Sequence, residues 1–311
     1  MRVVVGSASL MPTGPTAVAI GIFDGVHKGH QALLNKAVEL AKADGITACA
    51  YTFDPHPAAL FTPQKAPLLI EPLDKRLERF AGLGIAVAIV EKFDPAFAGK
   101  TPEAFIDEVV LGDLRARHII VGEDFRFGKG QAGDVKTLRT AASRGFDLHA
   151  IGAVRMDDGT RIASTAVRAF VGDGEMDKAD AALGRPYQLI GTVERGAGRG
   201  AGIGFATANI QPSNMLLPAR GVYACYAHGP FGTLPAVTNV GFTPAFGADA
   251  LKIEAHLLGY GGEALYGAGI ELDFIARLRG EKKFDSVDAL KAQIAADIDA
   301  AKNLLAASGD A

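Results

Sequence analysis

Through the first 182 residues, short apolar runs alternate with helical stripes. Strand-length apolar segments fall at residues 17–22, 46–53, 85–90, 118–122 and 146–154. Between them, residues 31–42, 73–83, 102–111 and 135–144 carry apolar side chains at helical spacing, as in Leu33, Leu34, Ala37, Val38 and Ala41. Strands alternating with helices predict a parallel sheet covered by helices. After Gly184-Arg-Pro-Tyr187 the rhythm changes to glycine-rich turns and short alternating segments at 188–194, 221–228, 236–240, 252–258 and 269–278. That pattern predicts an antiparallel sheet or barrel. A closing helix is predicted from the stripe Val287, Leu290, Ile294, Ile298 and Leu304, with Asp285 or Ser286 as its cap. The chain therefore divides into an α/β domain over residues 1–182 and a β domain over 183–311.

A length of 311 residues with 49% hydrophobic and 22% charged content is enough for two cores. A formal net charge of −3 without a dense Lys/Arg run argues against a nucleic-acid partner. Cys49 and Cys225 stand far apart and outside any Cys-x-x-Cys, so neither a thiolate zinc site nor a disulfide framework is expected. No run of eighteen apolar residues occurs, and Met1-Arg-Val-Val-Val-Gly6 lacks a long apolar core followed by a cleavage site, so neither membrane spanning nor secretion is expected. A cytoplasmic protein without membrane association is the expectation. Two glycine-rich stretches do not fit nucleotide motifs. The run Gly196-Ala-Gly-Arg-Gly-Ala-Gly-Ile-Gly204 lacks dinucleotide-fingerprint spacing, and residues 122–129 have Gly130 where a P-loop needs Ser or Thr.

The segment with the most chemistry is Gly21-Ile-Phe-Asp-Gly-Val-His-Lys-Gly-His30, which lies between the strand 17–22 and the helix 31–42. A helix N-terminus offers unpaired N–H groups and partial positive charge, so such a turn suits phosphate. His27 and His30, three apart, are expected on one side of its first turn, and Gly21, Gly25 and Gly29 allow backbone and ligand to approach.

The decapeptide resembles the His-x-Gly-His signature of nucleotidylyltransferases, in the form found in bacterial FAD synthetases. Further motifs follow in the order of the bifunctional riboflavin kinase/FAD synthetase family: Thr52-Phe-Asp-Pro-His-Pro57, Val121-Gly-Glu-Asp-Phe-Arg-Phe-Gly128 and Ile162-Ala-Ser-Thr-Ala-Val-Arg168, where Ala163 replaces the usual serine. The resemblance covers nearly the whole chain. It implies a Rossmann-like nucleotidylyltransferase domain followed by a riboflavin kinase barrel, and ATP phosphates held by Gly21, Phe23, Asp24, Gly25, Gly29, Ser164, Thr165 and Arg168 around the catalytic His27 and His30. Hydroxyls and guanidinium donate to oxyanions, which suits that task. Ser164 and Thr165 also stand where a helix cap would, and His56 between two prolines fits either a rigid loop or a ligand contact. Asp124 and Phe125 are implied near the flavin.

In the second half, Gly204-Phe-Ala-Thr-Ala-Asn-Ile210 resembles the kinase motif Gly-Phe-Pro-Thr-Ala-Asn. Thr207 and Asn209 are then implied as ligands of Mg2+ and ATP, and oxygen-bearing side chains suit that hard cation. Asn239-Val-Gly-Phe-Thr-Pro-Ala-Phe246, Lys252-Ile-Glu-Ala-His-Leu257 and Leu278-Arg-Gly-Glu-Lys-Lys-Phe284 match later family segments. Glu254 is implied as the general base, and Arg277 and Arg279 line the flavin or nucleotide pocket or else a solvated face. Ala206 and Ala245 replace a proline and a threonine, which removes a φ restraint and a hydroxyl but leaves Thr207, Asn209 and Glu254 in place. The implied partners are riboflavin, FMN, FAD and ATP, in a monomer or weak homo-oligomer. The alternatives are an FAD synthetase with a degenerate flavin-binding kinase module, and a non-catalytic flavin-responsive binding protein.

Overall fold

The computed structural model describes residues 1–10, 14–195, 205–214, 216–245 and 248–308. The glycine run 196–204 and Phe246 lie outside them. Contacts divide the chain into two compact units, Met1–Leu68 with Pro72–Ser164, and Leu69–Glu71 with the chain from Thr165 on.

The first unit is built on six strands: β1 Arg2–Val5, β2 Thr16–Ile20, β3 Thr47–Asp54, β4 Val87–Lys92, β5 Ala116–Gly122 and, after a small hairpin of β6 Arg126–Phe127 and β7 Gly133–Asp134, β8 Asp147–Ile151. They lie in the order β1-β4-β3-β2-β5-β8 with parallel ladders throughout. Every residue of the central β2 is buried, because both faces are covered. Val18 and Ile20 join Tyr51, Ile89 and Ile119 in one core. Ala17 and Ala19 join Ala48, Ala50 and Ala88 in the other, where helix Lys28–Asp44 sets Leu34, Ala37 and Ala41. Small side chains on that face let the helix lie close. From β2 the chain moves outward through β3 and β4 and then returns to β2's other side for β5, so the strand order reverses there. The carboxyl end of a strand at such a switch point is where open α/β sheets bind ligands, and residues 21–27 leave from it.

The sequence pattern did not predict β1. Its burial is slight, and β4 supplies its register by pairing Arg2 to Val5 with Val87 to Val90. The predicted helix 102–111 is wound as one α-turn, Pro102–Ala104, leading into a π-helix, Phe105–Asp113.

The second unit is a closed antiparallel barrel of β9 Tyr187–Glu194, β10 Ala208–Pro212, β11 Gly221–Gly229, β12 Gly232–Ala245, β13 Ala248–Leu257 and β14 Gly269–Arg279. The order is β10-β13-β12-β11-β14-β9, and β9 pairs back onto β10. The sequence pattern also missed β10, a five-residue strand ending in proline that closes the barrel. The closure is tight: a Cβ at Gly191 would stand 2.3 Å from the Gln211 carbonyl oxygen, so only glycine fits.

Helix Val287–Ser308 closes the chain. Of the two candidate caps, Ser286 is the one used, its Oγ accepting the Ala289 N–H at 3.1 Å. Ile298, Ala301, Leu304 and Leu305 pack on Val222, Ala224, Val237 and Leu258, while Val287 stays exposed, so the stripe engages later than its sequence suggests. The Tyr226 hydroxyl donates to the Leu305 carbonyl at 2.7 Å, and Arg279 grips Asp297 through Nε and Nη2 at 2.8–3.1 Å. Cys49 and Cys225 are free and buried, and burial pushes each thiol up to about 12.

Asp297 is buried, so Asp297→Ala leaves a guanidinium without its carboxylate and is expected to cost the second unit about 3 kcal/mol. The exposed Asp299→Ala on the same helix is expected to stay within about 0.5 kcal/mol. Hydrogen exchange of β11 and β14 reads the difference, and equal protection in the two variants would remove the clamp role.

Candidate functional sites

After β2 the chain takes an unusual path into its helix. Phe23, Gly25 and Val26 all have positive φ, at 55°, 80° and 38°. Gly25 adopts this region freely, whereas Phe23 and Val26 are held there against steric cost. The restraints are on every side. Phe23 is fully buried, with rings edge-on at 5.3 Å to His30 and 5.4 Å to Phe80. The Val26 N–H donates to the Phe23 carbonyl at 3.1 Å, and Gln31 Nε2 donates to the Val26 carbonyl at 2.9 Å. The buried Asp24 receives the Ser164 hydroxyl on its carbonyl at 2.9 Å.

His27 is the buried N-cap of helix Lys28–Asp44, its Nδ1 accepting the His30 N–H at 3.3 Å. That bond assigns the neutral ring's proton to Nε2, which makes Nε2 a donor. The His30 ring stacks on it at 3.6 Å with planes 19° apart. Gly29 permits this closeness. A Cβ there would lie 3.1 Å from His27 Cε1 and Nδ1 and 3.4 Å from the Ile162 carbonyl oxygen. At Gly21 a Cβ would meet the Phe23 ring at 3.1 Å. The turn thus brings two imidazoles and a helix start together at the sheet's carboxyl edge.

Ser164 opens helix Ser164–Asp173, with Thr165 exposed and Arg168 half-buried behind it. Asp124 lies exposed in the turn after β5 and is ion-paired to Arg161, a residue the motif reading passed over. Phe125 stacks on Phe127 with centroids 5.6 Å apart. His56 caps the short helix Pro57–Phe61, its Nδ1 accepting the Ala58 N–H at 3.0 Å.

The second site rests on strand register. Asn209 of β10 lies opposite Glu254 of β13, and Asn239 of β12 lies opposite Glu254 from the other side. Residues directly opposite share a face, so Asn209, Glu254 and Asn239 form a row across three strands. Thr207 Oγ1 approaches Glu254 Oε1 at 3.5 Å, and Lys252 Nζ lies 2.7 Å from the same oxygen. The His256 Nδ1–H donates to the Ala206 carbonyl at 2.7 Å and so holds the backbone just before Thr207. Lys252, Glu254 and His256 share one face of β13, while Ile253, Ala255 and Leu257 are buried. Sequence reasoning assigned no task to Lys252, Asn239 or His256, although period-two spacing from Glu254 marks the first and last. Arg277 donates to the carbonyls of Asp173 and Arg220, and Arg279 is bound to Asp297.

Among the described residues no helix is long and apolar enough to cross a membrane. The FAD synthetase family model matches residues 11–166 and the riboflavin kinase model residues 183–305. The bifunctional riboflavin kinase/FMN adenylyltransferase of Escherichia coli K12 is 37% identical over 292 residues, 93% of this chain and 92% of that one. The Bacillus subtilis protein of the same name is 34% identical, covering 91% and 90%. A crystal structure titled macrolide-efflux protein from Streptococcus pneumoniae superposes with a TM-score of 0.89 at 26% identity, covering 97% and 99%, and this likeness speaks to fold alone. The two matched domains stand in the order of their motifs, and named relatives align over nearly the full length. The chain accordingly belongs to the bifunctional riboflavin kinase/FMN adenylyltransferase family, with an FAD synthetase domain before a riboflavin kinase domain, and it makes FMN from riboflavin and FAD from FMN with ATP.

Proposed function

We propose that adenylylation takes place at the 21–30 turn and riboflavin phosphorylation at the Asn209–Glu254–Asn239 row, with the functional boundary at residues 182/183. The stacked His27/His30 pair at a helix start is the observation that carries the first assignment. An FMN phosphate oxygen attacks the α-phosphorus of ATP, the bond to the bridging oxygen breaks, and pyrophosphate leaves with the electron pair. No covalent enzyme intermediate is needed. The work is to hold the groups in line and to meet growing negative charge with fixed donors. His27 Nε2–H, His30 and the N–H groups of the turn around Gly21, Phe23, Asp24, Gly25 and Gly29 are the proposed donors, and Ser164, Thr165 and Arg168 are proposed as further phosphate ligands. Asp124 and Phe125 are proposed at the flavin.

In the barrel, the ribityl 5'-hydroxyl attacks the γ-phosphorus, Glu254 accepts the hydroxyl proton, and ADP departs. Thr207 and Asn209 present oxygen donors that suit Mg2+, which leaves the Glu254 carboxylate for the proton. No cage of three or more His, Cys, Asp or Glu exists among the described residues, so these few ligands would hold the ion together with ATP oxygens. When bound, Mg2+ would neutralise charge on the phosphates. His256 supports this reading of Thr207, since its bond to the Ala206 carbonyl restrains a segment whose proline is replaced by alanine. Arg277 and Arg279 are proposed at the flavin or nucleotide, with part of their N–H groups already committed to the carbonyls of Asp173 and Arg220 and to Asp297. A cytoplasmic monomer or weak homo-oligomer completes the reading.

Flavin separation after incubation with Mg-ATP tests the division of labour. His30→Ala is expected to lower FAD formation from FMN by about 10²-fold while FMN formation continues, as for loss of one transition-state donor. Glu254→Gln is expected to lower riboflavin phosphorylation by roughly 10²-fold and spare adenylylation. Equal loss of both activities in either folded variant would contradict the two-site reading. Gly29→Ala, which drives a methyl group against the His27 ring, is expected to lower adenylylation by about tenfold and leave the kinase unchanged. Normal FAD formation in that variant would mean that the close His27 packing is dispensable.

A further inference from the structure

Behind the 21–30 turn lies a buried arginine that neither reaction scheme uses. Arg76, on helix Leu73–Gly82, is 2% exposed. Its Nη1 donates to the Ile22 carbonyl at 2.6 Å and to Thr52 Oγ1 at 3.3 Å. The fully buried Thr52 hydroxyl in turn donates to that same carbonyl at 2.9 Å. One carbonyl oxygen thereby receives two donors, one of them charged, which satisfies both of its lone pairs. One turn further along the helix, the buried Phe80 sets its ring edge-on against Phe23, Phe23 meets His30 in the same way, and His30 stacks on His27. A single helical turn therefore grips both the peptide that precedes the left-handed run and the first residue within it.

We infer that Arg76 is a positioning residue for FMN adenylylation, fixing the Ile22 carbonyl and through it the aim of His27 and His30. The inference rests on the proposal that these histidines act on the phosphates. The Ile22 carbonyl carbon is one of the four atoms that define φ of Phe23, so anchoring that carbonyl anchors the peptide plane from which the positive φ is reached. Without the anchor the plane is free to rotate toward negative φ, which non-glycine residues prefer, and the Phe23 ring would leave the His30 edge. Arginine suits the position because Nη1, which serves both Ile22 and Thr52, stands one bond further from the backbone than a lysine Nζ, and its charge persists at any working pH. A lysine has donors enough for both acceptors but falls short of them. The effect on catalysis follows from geometry, since donors displaced by about 1 Å lose roughly 10²-fold in rate.

The test compares Arg76→Met, Arg76→Lys and His30→Ala in the full chain. It measures kcat and KM for FAD formation from FMN, riboflavin kinase activity, and hydrogen exchange of residues 21–30 beside strands β2 and β3. Arg76→Met is expected to lose about 10²-fold in kcat with a smaller change in KM for ATP, to exchange faster in the turn while the strands stay protected, and to keep its kinase activity. Arg76→Lys is expected to recover about tenfold of that kcat and to stay several-fold below the parent, because a charged donor to Ile22 is restored on a shorter side chain. If Arg76→Met loses protection in the strands, Arg76→Lys decides the matter, with a partial kcat loss and faster exchange confined to the turn supporting the inference. A kcat within about twofold of the parent in Arg76→Met, or in Arg76→Lys without faster turn exchange, beside an impaired His30→Ala, overturns the inference alone. A normal kcat in His30→Ala overturns the catalytic assignment of the turn and the inference with it.

Discussion

Three residues between β2 and its helix hold left-handed backbone, and two of them are not glycine. The placement of the first site depends on that constraint. Held in this shape, the segment buries Phe23, Asp24 and Val26, turns His27 into the helix cap and leaves the two imidazoles stacked at the carboxyl edge of the sheet. Its restraint comes from side chains distant in sequence. Thr52 leaves β3, Arg76 and Phe80 come from a later helix, and Ser164 reaches back to the Asp24 carbonyl. Strain of this kind persists only where the surroundings over-determine it, and here two faces of a packed core do so.

The barrel handles phosphate by a different construction. No strained turn is required among its described site residues, because hydrogen-bonded register lines up Asn209, Glu254 and Asn239 across three strands. Precision comes from the ladders, and closure through β10 is what brings Asn209 into the row. The flanking contacts of Lys252 to Glu254 and of His256 to Ala206 then set the side chains and the incoming backbone. The first design concentrates helix-start N–H groups and imidazoles where charge grows on a transferring phosphoryl group. The second concentrates oxygen ligands and a carboxylate, as a reaction that must also remove a hydroxyl proton requires. Two reactions joined by FMN thus use two unrelated solutions within one chain.

Much of this organisation is legible in the sequence. The central strands of the sheet are continuous apolar runs because both faces are covered, and the barrel strands alternate because one face is not, so each fold class leaves its own period. The elements that escaped, β1 and β10, are short strands stabilised by their partners rather than by a pattern of their own. The motif residues of the two sites were readable because chemistry restricts residue type at fixed spacing. Arg76 was not, since its partner Ile22 is 54 residues away and only an arginine on an otherwise apolar helix face hinted at it. Arg279 carries a contact the sequence did not show, since its bidentate grip on Asp297 becomes visible only once the terminal helix is docked.

The most direct test of two separate sites is complementation between single variants. Riboflavin and Mg-ATP are supplied to His30→Ala alone, to Glu254→Gln alone and to an equal mixture, and the flavins are separated over time. The account predicts that the first stops at FMN, the second leaves riboflavin nearly untouched, and the mixture makes FAD as FMN released by one protein is adenylylated by the other. A mixture that makes no more FAD than the two variants apart would contradict it.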